Sequence, residues 1–217
     1  MPLSDTLTRP LSAVDWDDAA QVEQASRLLL TTLAADRDAL GQALDAVVRD
    51  PHLRTLCEHY DILDKIVLHD DPTGFRVRLH LFLPGHYDRP HNHRWTYSAL
   101  LLAGSYTHTL YGTDDGFDET TDAAKLTPRM VRTESTGSSY TLHHTMVHAA
   151  VAEPYTVSLI VRGPAVKDRF LVTDRDSGQV WWQHGAAQET PEQAAAKRMD
   201  PDQITATIAK LRELTVI

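Results

Sequence analysis

Near Tyr60 the spacing of apolar residues changes from three and four residues to strict alternation, and the alternation then persists through most of the remaining chain. Candidate strands run over Ile62–His69, Phe75–Leu83, Tyr97–Leu102, Ser105–Tyr111, Met130–Glu134, Ser138–Leu142, Val147–Ala152 and Thr156–Arg162. Gly104, Gly112, Gly116, Gly137 and Pro154 punctuate them, and Asp70–Gly74 reads as a turn. Short strands at such spacing cannot bury their faces singly, so they predict a closed sandwich or barrel. In Phe75–Leu81 the odd positions are apolar while Arg76, Arg78 and His80 share the opposite face. The acidic stretch Asp114–Ala124 reads as a surface loop.

The chain before Tyr60 is helical in pattern. Ala20, Val22, Ala25, Leu28, Leu29 and Leu33 form one stripe after Asp17. A second helix carries Leu40, Leu44, Val47 and Val48, capped by Asp36 or Asp38 and stopped by Pro51. From Pro191 the pattern is helical again, with Ile204, Ile208 and Leu211 on one side. The expected organisation is a helical segment over 1–60, a β-barrel over 61–185 and a helical tail over 186–217.

The 217 residues carry 21 basic and 30 acidic side chains, a formal charge of −9, with no Lys/Arg run. Such a field repels phosphate backbones and argues against nucleic acid. No apolar run approaches the ~20 residues of a bilayer span, and the first residues lack a secretory signal's basic and apolar regions, so no membrane partner is expected. With Cys57 the sole cysteine, an intrachain disulfide is impossible, and a reducing, cytoplasmic setting is expected.

Of the 12 histidines, His80, His86, His91, His93, His108, His143, His144 and His148 crowd the middle third. His91 and His93 are two apart, so on extended backbone both rings point to one side and can hold one ion in cis. A third ligand must come from elsewhere; His148, on a β-like run, is the candidate. His144 and His148 would make a zinc pair if that stretch were helical, but Tyr140, Thr141, Val147 and Val151 argue for strand. Three imidazoles suit Fe(II), Zn, Mn, Ni or Cu.

At these positions the chain resembles the cupin superfamily. Its first motif, G(X)5HXH(X)3–4E(X)6G, is met by Gly85, His91, His93 and Gly104, with Tyr97 where glutamate is usual. Its second, G(X)5PXG(X)2H(X)3N, is met at Gly137 and His148, with His143, Thr145 and Ala152 replacing the other marks. The resemblance implies an antiparallel jelly-roll barrel, here with N-terminal helices and a C-terminal helix. Cupins lacking the glutamate look like the three-histidine thiol dioxygenases, which also carry helices ahead of the barrel. Their Ser-X-His-X-Tyr relay is replaced here by Ser158, Ile160 and Arg162, and their Cys–Tyr crosslink is excluded because Cys57 lies in the helical segment.

The resemblance implies a mononuclear metal enzyme, with Fe(II) first, acting as a dioxygenase on a small anionic carboxylate- or thiol-bearing metabolite with O2. Alternatives are a non-redox Zn, Mn or Ni isomerase or lyase, and a non-enzymatic small-ligand-binding cupin; a homodimer is an open option. Arg76, Arg78 and Arg162 come from strands that would line the barrel and are candidates to clamp a carboxylate. Tyr97 is a candidate acid or hydrogen-bond donor. His80, His108 and His143 are candidates to support the ligands or move protons.

Overall fold

The computed structural model describes residues 3–185 and 188–217. The chain opens on α1 (Asp5–Thr8), a 3-10 turn over Arg9–Ala13, α2 (Ala19–Ala35), α3 (Arg37–Arg49) and α4 (Pro51–Thr55). The carboxylates of Asp18, Asp36 and Asp50 accept first-turn N–H groups of α2, α3 and α4, satisfying donors that a helix leaves unpaired. Pro51 stops the second helix as expected, since α3 ends at Arg49, and it also takes the first position of α4, where its missing N–H costs nothing.

Strands follow: β1 (Glu58–His59), β2 (Leu63–Asp70), β3 (Arg76–Phe82), β4 (Tyr97–Ala103), β5 (Ser105–Thr113), β6 (Met130–Ser135), β7 (Ser139–Leu142), β8 (Met146–Ala152), β9 (Val157–Arg162), β10 (Arg169–Thr173) and β11 (Val180–His184). Two further helices, α5 (Pro191–Lys197) and α6 (Pro201–Glu213), complete the described chain. All named pairings are antiparallel. One sheet has the order β1-β2-β3-β9-β4-β7; facing it are β6-β5-β8 and the pair β10-β11. The backbone of His91 bridges both His148 on β8 and Val172 on β10, joining the two parts of the second layer. The architecture is a mainly antiparallel β jelly roll flanked by helices.

The main hydrophobic core lies outside this barrel. Val77, Leu79 and Leu81 of β3 and Val157, Leu159 and Val161 of β9 pack with Leu29, Leu33, Leu40, Leu44 and Val47 of α2 and α3, and with Ile204, Ile208 and Leu211 of α6. Burying each such side chain contributes about 1.5–3 kcal/mol, so the helices hold the six-stranded sheet from behind. The alternate residues turn inward. Arg76, Arg78 and His80 stand opposite Arg162, Ile160 and Ser158 of β9, and Tyr97 and Ala99 of β4 continue that face. A smaller cluster of Tyr97, Ala99, Leu142 and Ile160, touching Leu110 and Met146 of the second layer, fills part of the interior.

Gly104 turns the chain from β4 into β5 at φ +76, and a Cβ there would lie 2.5 Å from Thr156 Oγ1. Only glycine meets both demands. Among the described residues no helix is long and apolar enough to cross a membrane.

Candidate metal centre

The loop between β3 and β4 carries His91 and His93 and is fixed to its surroundings residue by residue. The Pro90 carbonyl accepts the Thr173 N–H at 2.8 Å and the Thr173 hydroxyl at 3.0 Å. His91 exchanges backbone hydrogen bonds with His148 at 2.8 and 2.9 Å. The Asn92 carboxamide accepts the Leu171 N–H at 2.9 Å and donates to Asp114 at 2.8 Å. Asn92 points away while His91 and His93, one residue on either side, turn toward His148, as extended backbone requires.

The three rings converge, with one nitrogen of each within 4.8 Å of the others. His93 Nε2 and His148 Nε2 are 2.8 Å apart. Two imidazole nitrogens at about 2.1 Å from one ion and at right angles would stand roughly 3.0 Å apart, so this spacing fits cis ligation. The tautomers also fit. His91 Nδ1 donates to the Arg89 carbonyl at 2.8 Å, leaving its Nε2 lone pair free. His148 Nδ1 lies 2.9 Å from His108 Nε2, and His108 Nδ1 lies 3.2 Å from the Glu134 carboxylate, which also meets Arg132. An ionised carboxylate only accepts, so His108 donates to Glu134, His148 donates to His108, and the His148 Nε2 lone pair faces His93. Burial pulls His91 down to about 4 and holds His93 and His148 well below the usual imidazole range. All three are therefore neutral at pH 7, the form that binds a cation. The donor set fits a borderline divalent metal.

Around the triad, Trp95 stacks on His93 at 4.8 Å between ring centres, and Phe170 lies on it at 6.3 Å. Tyr97, at the usual glutamate position, is 4% exposed and holds its hydroxyl 3.5 Å from His148 Nε2. Burial raises the Tyr97 phenol well above its ordinary range, so it keeps its proton. Behind it the Tyr140 and Tyr106 hydroxyls meet at 2.6 Å.

The three candidate arginines have different surroundings. Arg76 pairs with Asp70 at 2.5 Å, at the sheet's far end. Arg162 donates to the carbonyls of Gly74 and Gly163 at 2.6 and 2.7 Å, which ties it to backbone. Arg78 is 7% exposed, lies 5.9 Å from the centre of the Trp95 ring, and its Nε has no partner among the described residues. His80 is next to it in phase and likewise has an unpartnered buried Nε2. Burial, reinforced by the charges of Lys65 and Arg78, keeps His80 well below the ordinary imidazole range. His143, expected near the ligands, is instead directed away: its ring bonds Thr145 and Asp17. His144 does not form a helical pair with His148, because it lies on the turn before β8.

Three charged residues join the site that the alternation alone did not single out. Glu134 is the one buried position on an otherwise exposed β6, opposite Tyr106. Lys65 of β2 stands opposite His80, and Glu58 of β1 stands opposite Lys65. Burial pulls Lys65 down to about 8, against the Glu58 carboxylate that favours its charge. Lys197 of α5 bonds Glu58 at 2.8 Å and Glu189 at 2.6 Å, closing this end of the barrel.

No protein-family model matches the chain, and no curated protein matches it. Solved structures do. KdgF from Halomonas sp. is 19% identical over 48% of this chain and 82% of its own, with a TM-score of 0.37. An RmlC-like cupin from Shewanella frigidimarina is 16% identical over 52% and 86%, with a TM-score of 0.38. Ectoine synthase from P. lautus is 13% identical over 68% and 96%, with a TM-score of 0.42. Two of the solved structures it resembles, the Shewanella frigidimarina protein and another from Desulfovibrio desulfuricans, are described as RmlC-like cupins.

Proposed function

We propose that the chain is a mononuclear metal-dependent enzyme in which His91, His93 and His148 hold Fe(II), and that it oxidises a small carboxylate- or thiol-bearing metabolite with O2. The observation that carries the substrate class is Arg78. The buried Arg78 Nε has no acceptor among the described residues, and an unmet buried donor costs about 1–3 kcal/mol, more when charged. The Arg162 Nε is also unmet, but its Nη1 group is held by two carbonyls. An anion placed against Arg78 and Lys65, beside Trp95 and His93, supplies the missing acceptor. Three neutral imidazoles leave the ion's full charge uncompensated, which favours anionic donors further. When bound, the metal supplies a Lewis-acidic and, as iron, redox-active centre for substrate and O2. The protein's own groups do the rest: Arg78 and Lys65 orient the anion, Trp95 and Phe170 exclude water, and Tyr97 holds a proton at its hydroxyl beside His148. The thiol option rests on the resemblance to three-histidine dioxygenases.

A second reading is a non-redox isomerase or lyase using Zn, Mn or Ni. Tyr97 favours it, because its protonated hydroxyl 3.5 Å from His148 Nε2 can donate a hydrogen bond to an oxygen anion formed beside the metal, with no oxidant required. The test is elemental analysis of protein from unsupplemented cells, followed by O2-uptake screening of carboxylate and thiol metabolites with wild type and Arg78→Met. The proposal expects iron, substrate-dependent O2 uptake, and a KM raised about 10- to 100-fold in Arg78→Met at unchanged metal content. Equal turnover without O2 selects the second reading, and an unchanged KM removes Arg78 from substrate binding.

A further inference from the structure

A second convergence of metal-binding atoms lies where the N-terminal segment meets the barrel. Asp17 precedes α2, and His143 and His144 form the turn between β7 and β8. Both imidazoles aim Nε2 at the same carboxylate oxygen: His143 Nε2 and His144 Nε2 each lie 3.0 Å from Asp17 Oδ1. The two rings lie face to face at 4.1 Å with a 37° tilt. One carboxylate oxygen can accept both hydrogen bonds, so it is the convergence of three ligand atoms within 4.8 Å of one another that points to an ion. As ligation it is an ordinary two-histidine, one-carboxylate set for a borderline divalent ion.

The elements on both sides hold the donors in place. His143 Nδ1 is 2.8 Å from Thr145 Oγ1 and 3.3 Å from the Thr145 N–H nitrogen, contacts that fix the ring with Nε2 toward Asp17. The His144 carbonyl accepts from Lys167 at 2.9 Å, and its N–H donates to Thr96 Oγ1 at 3.3 Å. On the other side Trp16 presses on Gly163, where a Cβ would lie 2.4 Å from its ring, and stacks on Phe75 at 6.2 Å. The Asp17 side chain is 74% exposed and can move the few tenths of an ångström needed to open each 3.0 Å edge to the ~3.3 Å of a tetrahedral site with 2.0–2.1 Å bonds. The neighbouring carboxylates of Asp15 and Asp18 add negative potential.

We propose that Asp17, His143 and His144 form a second site for a divalent cation of the Zn, Co, Ni or Cu type, completed by water, that staples the N-terminal segment to the β7–β8 turn. The proposal is independent of the enzymatic reading, because it uses none of the three ligands in the barrel.

The experiment is titration of chelator-stripped protein with Zn2+ alone, counted by competition with a chromophoric chelator. The proteins are wild type, Asp17→Ala, the double variant His143→Gln/His144→Gln, and His91→Ala/His93→Ala. Wild type should bind one more ion per chain than Asp17→Ala or the His143/His144 variant, and the His91/His93 variant should keep that ion. Equal stoichiometry in wild type and Asp17→Ala overturns the proposal, whatever the barrel triad does. Because a triad variant can misfold, amide exchange over residues 15–21 gives a second readout. Zn2+ should slow it at least tenfold in wild type and leave it unchanged in Asp17→Ala, whereas no slowing in wild type refutes the staple.

Discussion

Replacing Glu134 by Gln isolates what the chain Arg132–Glu134–His108–His148 does for the metal centre. The substitution keeps size and burial; the Glu134 side chain is only 5% exposed. What it removes is the charge that orders the protons. With a carboxylate at the end, His108 Nδ1 must donate, so its Nε2 accepts from His148 Nδ1 at 2.9 Å and the His148 Nε2 lone pair is free. A carboxamide can turn its NH2 toward His108, and the chain then runs backwards, placing a proton on His148 Nε2 where the ion belongs. The charge-assisted hydrogen bond at 3.2 Å is worth roughly 1.5–3 kcal/mol over that alternative. Loss of a residue that orients a ligand commonly costs 10- to 100-fold in metal affinity, or about 1.4–2.7 kcal/mol. The two estimates agree, so Glu134→Gln should raise the apparent Kd for Zn2+ or Fe(II) by 10- to 100-fold at pH 7.5. Chelator competition measures it, with far-UV circular dichroism and Tm showing the fold intact. His108→Leu provides the contrast: it leaves the buried carboxylate with Arg132 alone and should lower stability by about 1–3 kcal/mol as well. A Kd for Glu134→Gln within twofold of wild type, in a folded protein, would refute the ordering argument.

Other outcomes follow from the same geometry. His91→Ala and His148→Ala should each abolish metal retention through desalting, and elemental analysis finding full retention in both would remove the triad as the binding set. Lys65→Met should stabilise the fold yet weaken anion binding. The folded Lys65 is held at about 8 against 10.5 ordinarily, so between pH 8 and 10.5 the unfolded chain binds more protons and stability rises with pH by at most roughly 3 kcal/mol. The side chain is 19% exposed, which reduces that figure, and Glu58 keeps Lys197 as a partner at 2.8 Å. Urea denaturation across that pH range should show the slope in wild type and its absence in Lys65→Met. Gly104→Ala should cost about 1–3 kcal/mol of stability by the same measurement, from positive φ and the Thr156 contact together. Asp36→Ala should cost about 1 kcal/mol, because Asp36 Oδ1 accepts the Ala39 N–H at 2.8 Å.

Local signals carried much of the fold. Alternation located β2 through β9 to within about two residues at each end, and Asp36 marked the start of α3. The pair β10–β11 escaped because neither strand alternates: Leu171, Val172 and Thr173 of β10 are buried in succession, and Val180–Gln183 of β11 are half-covered throughout. The Asp114 loop was legible as acidic but not as structural: Asp114 binds Asn92 at 2.8 Å and Lys167 at 2.5 Å, which pins the ligand loop. Spacing located His91, His93 and His148, whose nitrogens converge. It could not separate Arg78 from Arg76 and Arg162, since all three share one face and differ only in what comes to meet them: Asp70 for Arg76 and two carbonyls for Arg162. Nor could it find Glu134, whose role depends on β6 lying beside β5 in a register that puts Arg132 opposite His108.

That register matters because of how labour is divided across the six-stranded sheet. A small barrel is ordinarily filled by its own apolar side chains. Here β3 and β9 send their apolar residues outward, where α2, α3 and α6 bury them. Stability is thereby moved behind the sheet, and the interior is free to hold Arg78, His80, Lys65 and three convergent histidines that a purely apolar interior would exclude. The same division explains why the N-terminal and C-terminal helices are needed although they carry none of the three ligands. Without them Val77, Leu79, Leu81, Val157, Leu159 and Val161 would face water, and the charged interior could not compensate. Truncating α6 should therefore unfold the barrel and release the metal together, in one cooperative transition, whereas a helix that merely decorated the surface would leave metal binding intact.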